Sequence, residues 1–294
     1  MSFATRTSMI IGGLAGSASA LTHELTTSDQ VLRAPLALCR RVGFVQVRGG
    51  SGASATAGYV ANLLARRRTG MVLGVNASAG EAHLLRQAGV SIPARSRDGD
   101  KRVSPASAVD ARAGLGVSGT GLYGLDLARD KTAASAGTWF ELVSPIARFY
   151  DVVVTDWGVR DRRVDLRQAA VASHVVCLVA RADRHAAEEA AALVPALQQV
   201  EDRPRLVLVL VDVAGTGEHT PGLIRRQLDI PVLKIPYEPL RAAAQPPASR
   251  RLPARSRLAA TRLAAAVMAE AQRTDLRQRS LAALGRAVTG GGHS

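Results

Sequence analysis

The sequence predicts a doubly wound α/β domain built on a mainly parallel sheet, and three observations carry that expectation. Continuous apolar runs at residues 151–155, 175–180 and 206–211 have the pattern of strands buried on both faces. Stretches of helical spacing, ten residues or longer, alternate with such runs, as crossovers between parallel strands require. The first β-branched run, residues 42–47, is stopped by Gly49-Gly50-Ser51-Gly52 and followed at once by a helical pattern. Composition agrees: 294 residues, 47% hydrophobic and 21% charged, supply a well-buried core and exclude a disordered, collagen-like or disulfide-scaffold chain. No run reaches the roughly 18 uncharged apolar residues of a membrane-spanning helix.

Taken in order, residues 1–40 read as a poorly ordered arm. Arg6, Met9-Ile10-Ile11 and Ala18-Ser19-Ala20 mimic an export signal, but Gly12, Gly13 and Gly16 interrupt its apolar core. The domain proper spans 41–240. After the strand at 42–47 comes a helix at 54–67, with Val60, Leu63 and Leu64 on one face, and a strand at 71–75. Residues 93–120 read as a long loop with short elements. A helix at 138–150 carries Trp139, Leu142, Val143 and Ile146 into the strand at 151–155. The strands at 175–180 and 206–211 flank a helix at 186–200, and 232–235 is a last short strand. Residues 241–288 form a basic, proline-containing linker followed by helices at about 256–272 and 275–288 that pack on or extend from the domain. Residues 289–294 are a glycine-rich tail.

Lys and Arg number 38 against 24 Asp and Glu, a formal charge of +14. Only Lys101, Lys131 and Lys234 are lysine, so no ammonium group occurs in the first hundred residues. Such a charge favours anionic partners. Arg241, Arg250, Arg251, Arg255 and Arg257 are the candidate surface for non-specific DNA or an anionic membrane. Cys39 and Cys177 lie far apart and read as reduced thiols of a cytoplasmic protein. His174, His185 and His219 share no metal-ligand spacing, and no serine has the context of a hydrolase nucleophile.

The glycine turn carries the chemistry. Glycines between a strand and a helix let backbone N–H groups converge on an anion, which the helix dipole also favours. A phosphate-binding loop of the G-x-x-x-x-G-K-[ST] kind places a lysine after the last glycine to bridge the β- and γ-phosphates; that place is Ala53. A dinucleotide fingerprint, G-x-G-x-x-A, fits Gly50, Gly52 and Ala55, but the second strand ends Asn76-Ala77-Ser78 without the carboxylate that would hold a ribose.

The order of motifs resembles the MinD/ParA family of deviant P-loop ATPases over about residues 42–269. Arg48-Gly49-Gly50-Ser51-Gly52-Ala53-Ser54-Ala55 aligns without a gap to the family's K-G-G-x-G-K-[ST]-T loop. Tyr150-Asp151-Val152-Val153-Val154-Thr155-Asp156 is similar to its Y-D-x-[VI]-[VI]-[VI]-D segment. Ala172-Ser173-His174-Val175-Val176 resembles its alanine-rich strand entry, and Ile235-Pro236-Tyr237-Glu238 its I-P-Y-D element. Arg33-Ala34-Pro35-Leu36 and the run Leu252-Pro253-Ala254-Arg255-Ser256-Arg257-Leu258-Ala259-Ala260 resemble MinD-like proteins encoded beside actinobacterial type VII secretion systems.

The resemblance implies a fold, and residue by residue it implies a degenerate site. The family's signature lysine, which reaches the partner's nucleotide across a dimer, is Arg48. The phosphate-bridging lysine is Ala53, and the second loop threonine is Ala55. Ser54 keeps a magnesium-binding hydroxyl. The second-strand D-x-D, which positions water and magnesium, leaves only Asn76 and Ser78. Asp156 matches the magnesium-shell aspartate, and its bland alternative is a turn aspartate after a buried strand. Asp212 stands for an adenine-reading asparagine, with Pro236 beside it on the base side. Removing one preorganised donor commonly costs about 2.7–4 kcal/mol in catalysis, and several are altered together here.

The expectation is therefore a non-catalytic MinD/ParA-like pseudo-ATPase with no catalytic residue, cofactor or metal. It would work as an accessory or positioning factor for type VII secretion through a homodimer, an active paralogue or a secretion-machine component, in the cytoplasm or held at the membrane by partners. The alternative is an ATPase that binds ATP with magnesium, the metal through Ser54 and Asp156, and turns over slowly using Arg48 and Asp156. A third reading is an NAD(P)-dependent oxidoreductase.

Overall fold

The computed structural model describes residues 3–91, 105–128, 131–161, 165–200, 204–216, 220–242 and 252–290. A helix, α1 (Phe3–Arg33), leads into strand β1 (Arg40–Gln46), helix α2 (Ala53–Arg67) and strand β2 (Val72–Asn76). Two short helices, α3 (Leu84–Gln87) and α4 (Ala108–Arg112), precede strands β3 (Gly116–Val117) and β4 (Tyr123–Asp126). Helices α5 (Ala136–Leu142) and α6 (Ser144–Ala147) run into strand β5 (Val152–Val159), followed by α7 (Asp165–Val171) and β6 (Val175–Arg181). Then come α8 (Arg184–Ala191), α9 (Val194–Gln198), β7 (Arg205–Val211), α10 (Thr220–Arg225) and β8 (Val232–Ile235). A 3₁₀ turn at Pro239–Ala242 and the long helix α11 (Ala254–Gly290) complete the described chain.

Among the described residues the strands form one sheet in the order β3-β4-β2-β5-β1-β6-β7-β8. Every pairing is parallel except that of β3 with β4. Successive residues of the central strands bury alternate faces. Phe44, Val152, Val154, Val175, Cys177 and Val207 pack with α2, α3 and α11; Val45, Val153, Val176, Leu206 and Leu208 pack on the other face, which α5 to α10 cover. Both faces are covered, which explains the unbroken apolar runs.

The helix at 138–150 is divided by Pro145 near the start of α6, and that at 186–200 by Pro195 near the start of α9; proline lacks the N–H a continuous helix needs. β4 has no counterpart in the sequence reading, because four residues including Gly124 carry no β-branched run. β5 runs on through Asp156 and Gly158, where a bulge against β1 inserts Trp157 between paired residues. The two C-terminal helices are one, since no proline follows Pro253 and the sequence between is rich in Ala, Leu and Arg.

At the N-terminal side, α1 spans Phe3–Arg33, and its C-terminal end is fastened to the domain. Leu32 is buried with Leu263, Val267 and Met268 of α11. Arg262 donates to both Glu24 carboxylate oxygens, and Gln272 Nε2 donates to the Val31 carbonyl at 3.3 Å. Arg68, 7% exposed, donates to the carbonyls of Leu32 and Ala34 and to Asp151.

Candidate functional site

The site grows from the end of β1. The chain leaves Gln46, turns through Gly49-Gly50-Ser51-Gly52 and enters α2 at Ala53. Gly52 has φ 79°, which favours glycine, and a Cβ there would stand in tight contact, 3.1 Å from Val211 Cγ1. The turn is tied by Ser51 Oγ, which donates to the Arg48 carbonyl at 2.7 Å. Gly52 offers α2 no side-chain cap, and the first N–H returned to the turn is that of Thr56, to the Gly52 carbonyl at 3.0 Å. The N–H groups of Ala53, Ser54 and Ala55 therefore have no helical acceptor, and all three residues line a pocket of about 710 Å³.

That volume suits a small-molecule site, and its place outside the carboxyl ends of parallel strands is where such folds bind ligands. The walls are the glycine turn, Ser78 to Ala82, Arg86 and Gln87 of α3, Gly158 and Val159 of β5, and the ends of β7 and β8 with Asp212, Pro236, Tyr237 and Glu238. Gly158 has φ 65°, and a Cβ on it would meet Ser78 Cβ at 2.6 Å, so this wall too depends on glycine. Among the lining residues Arg86 is the one cation, against the carboxylates of Glu81, Asp212 and Glu238. Lys131 comes near only through an exposed 3.2 Å ion pair with Glu81.

The predicted residues divide. Arg48 is outside the lining: its guanidinium meets Glu189 of α8 through two hydrogen bonds, 2.7 and 3.1 Å. Gly49, Gly50, Gly52, Ala53, Ser54, Ala55, Ser78, Asp212 and Pro236 come together around the pocket. Asn76 lies behind it, giving its Nδ2 to Asp126 at 2.8 Å and accepting from the Ser78 N–H at 3.0 Å. Ser78 Oγ accepts from the Gly80 N–H. Asp212 accepts from the N–H groups of Ala214 and Gly215. Arg255 and Arg257 are exposed at the start of α11, far along the chain from the turn, and Arg257 donates to the Leu252 carbonyl. Arg241 belongs to the 3₁₀ turn; Arg250, Arg251 and His219 lie outside the described residues.

Asp156 is fully buried and its oxygens are engaged. Oδ2 accepts from the Leu84 N–H and Oδ1 from the Gly158 N–H, each at 3.0 Å, and the Ser54 hydroxyl hydrogen-bonds to it as well. Burial raises its pKa above the ordinary value, opposed by those three hydrogen bonds and by His83. It ties α2, α3 and β5 together. His83, which precedes α3, is half-buried; burial lowers its pKa, against the pull of Asp126 and Asp156. Among the described residues no group of three or more His, Cys, Asp or Glu could hold a metal ion.

Sequence reasoning missed Gln46, Thr56, Arg86, Tyr237 and Glu238 as pocket residues. The position of Gln46 and Thr56, either side of the glycine turn, was the available signal. Nothing in the spacing of Arg86 pointed to the turn, because α3 reaches it only through the fold.

No protein-family model matches the sequence, and a comparison with curated proteins finds no match. Solved structures do match in shape. The septum site-determining protein MinD of Pyrococcus horikoshii OT3, solved with Mg-ADP, superposes with a TM-score of 0.59 at 17% identity, covering 77% of this chain and 95% of that one. A ParA family ATPase from Chlorobium tepidum TLS gives 0.52 at 21% identity, covering 68% and 85%. MinD in the MinC:MinD cell division complex of Aquifex aeolicus gives 0.56 at 17% identity, covering 80% and 95%. The fold is thus that of the MinD/ParA P-loop ATPases.

Proposed function

We propose that this chain is a non-catalytic protein on the MinD/ParA fold that works by docking or dimerising as an accessory or spatial-positioning factor. The charge of the pocket supports this most directly. Ala53 stands where the ATPases place an ammonium group, and one arginine faces three carboxylates across the lining. A magnesium-bound triphosphate needs cations at its terminal phosphates, since phosphoryl transfer is accelerated by positioning and charge stabilisation. These residues do not fit that group. Asp156 is occupied in holding three elements together, and Arg48 is occupied by Glu189. With magnesium and ATP, phosphate release should equal that of a protein-free control; turnover abolished by Ser54→Ala would contradict the proposal.

One observation favours the slow-ATPase alternative: Lys131 is paired at 3.2 Å with Glu81, which lines the pocket, and is exposed enough to leave it. If it supplies the missing charge, Mg-ATP binding will be present in the natural chain and lost in Lys131→Ala. The place of work we assign to type VII secretion, on the likeness of residues 33–36 and 252–260 to proteins encoded beside those systems. Loss of type VII substrate export on deleting the gene in its native host supports this, and unchanged export contradicts it. The partner class follows the fold: a second copy, an active paralogue or a secretion-machine component, as MinD of Aquifex aeolicus is found with MinC.

A further inference from the structure

A second cavity lies at the opposite end of the parallel strands. Its volume is about 420 Å³, at the small end of the range for ligand pockets. Arg41, Asp151 and His174, where the chain enters β1, β5 and β6, form part of its wall. It shares no lining residue with the pocket at the glycine turn. Leu36, Leu38 and Phe149 supply apolar surface, and Leu38 is 65% exposed, a large side chain left mostly in water. Arg41 and Arg148 supply two guanidinium groups. Asp151 is the one carboxylate of the lining, and Arg68 already donates to it from Nε and Nη2, at 3.3 and 3.1 Å. The wall therefore carries an excess of positive charge beside apolar surface.

The polar groups are fixed in advance. His174 is fastened to β1 twice: its N–H donates to the Arg41 carbonyl at 2.8 Å, and its Nδ1 accepts from the Arg41 N–H at 3.1 Å. A neutral imidazole has one acceptor nitrogen, so with Nδ1 accepting, the ring proton sits on Nε2. Nε2 lies 3.3 Å from Nη2 of Arg41. Two donors thus stand side by side, and neither can accept from the other. The Arg41 guanidinium is also held over the Trp139 ring, with Cζ 5.7 Å from its centre. Arg148 is held over the Phe149 ring at 4.8 Å and donates to the Pro105 carbonyl at 2.7 Å. An anion with two oxygens takes one charge-assisted bond from each of the paired donors, which is what a carboxylate offers. Groups already in place lose little freedom on binding.

We infer that this second cavity binds a small amphipathic carboxylate, its head at Arg41 Nη2 and His174 Nε2 and its apolar body against Leu36, Leu38 and Phe149. Arg148 adds a second positive charge to the same wall. The ligand is held, and no bond is made or broken. Binding here is independent of whether the glycine turn accepts Mg-ATP, because the two cavities stand at opposite ends of the strands.

Calorimetric titration with octanoate, 1-octanol and inorganic phosphate tests this. Octanoate should bind the natural chain with a dissociation constant below about 1 mM. The neutral alcohol, which keeps the apolar body and lacks the charge, should bind at least tenfold more weakly. Arg41→Gln and Leu38→Glu should each weaken octanoate tenfold or more, the first by removing the guanidinium and the second by adding a carboxylate to the apolar wall. Leu38 is mostly in water, so Leu38→Glu should melt with the natural chain and separates loss of binding from loss of fold. Absence of octanoate binding by the natural chain would overturn the inference. So would 1-octanol or phosphate binding at least as tightly, or octanoate affinity unchanged in either folded variant.

Discussion

The state of each titratable group follows from what surrounds it, and two predictions belong at that scale. Burial pushes the Cys39 thiol up to about 12, opposed by Arg41 and Arg40, and raises the Cys177 thiol as well. Thiolate is the reactive form, so at pH 8 buried Cys177 should react with a thiol reagent only as the chain opens, and half-buried Cys39 more slowly than a free thiol; labelling of both at the rate of a free thiol in the folded protein would contradict this. His83 sets a pH dependence. Its folded pKa lies below the ordinary 6.5, so between those values the unfolded chain binds more protons. Its contribution to stability is complete above 6.5 and is lost as pH falls through the folded value. Asp156 acts in the opposite sense, its raised pKa favouring the protonated form in the folded state and its contribution being lost as pH rises. The difference between the natural chain and His83→Gln, measured by denaturant unfolding against pH, isolates the imidazole: it should grow more favourable to the variant as pH drops below 6.5. A difference independent of pH would contradict the assignment.

At the scale of elements, α1 is a working part of the domain. Leu32 is 1% exposed against α11, and Leu32→Ala should cost about 2–5 kcal/mol by leaving a cavity. Arg68→Ala removes the guanidinium that holds the end of α1 to Asp151 and should cost about 3 kcal/mol. Urea unfolding checks both; losses below 1 kcal/mol would mean that α1 is merely laid on the surface. These contacts also explain what the sequence could and could not disclose. The runs that became β5, β6 and β7 were legible because a strand covered on both faces must be continuously apolar. The glycine turn was legible because its residues are adjacent. α1 was not, since its buried anchor Leu32 packs on residues of α11 more than two hundred positions away and its end is held by Arg68. The far wall of the pocket was legible only in part: Asp212 and Pro236 aligned with known motifs, while Arg86 and Gln87 arrive through a four-residue helix with no pattern of its own.

For the whole molecule, the charge of +14 and the chemistry of the pocket point in different directions. The surface is cationic, yet the cavity at the carboxyl ends of the strands is lined by more acids than bases. Such a charge favours anionic partners at the exterior rather than in the cavity. If DNA is one of them, its affinity should fall steeply with salt, log K declining linearly against log salt as counterions are released; a flat response would exclude phosphate contacts. No helix among the described residues is long and apolar enough to cross a membrane. The central claim is that the fold of an ATPase has been kept while the charge that grips a triphosphate has been lost. Paired calorimetric titrations of Mg-ATP into the natural chain and into Ala53→Lys test it most directly, with thermal melting to confirm that the variant folds. The natural chain should show no binding tighter than about 10 μM, and the variant a gain of at least tenfold, a change of about 1.4 kcal/mol. Tight binding by the natural chain, unchanged by the added lysine, would contradict it.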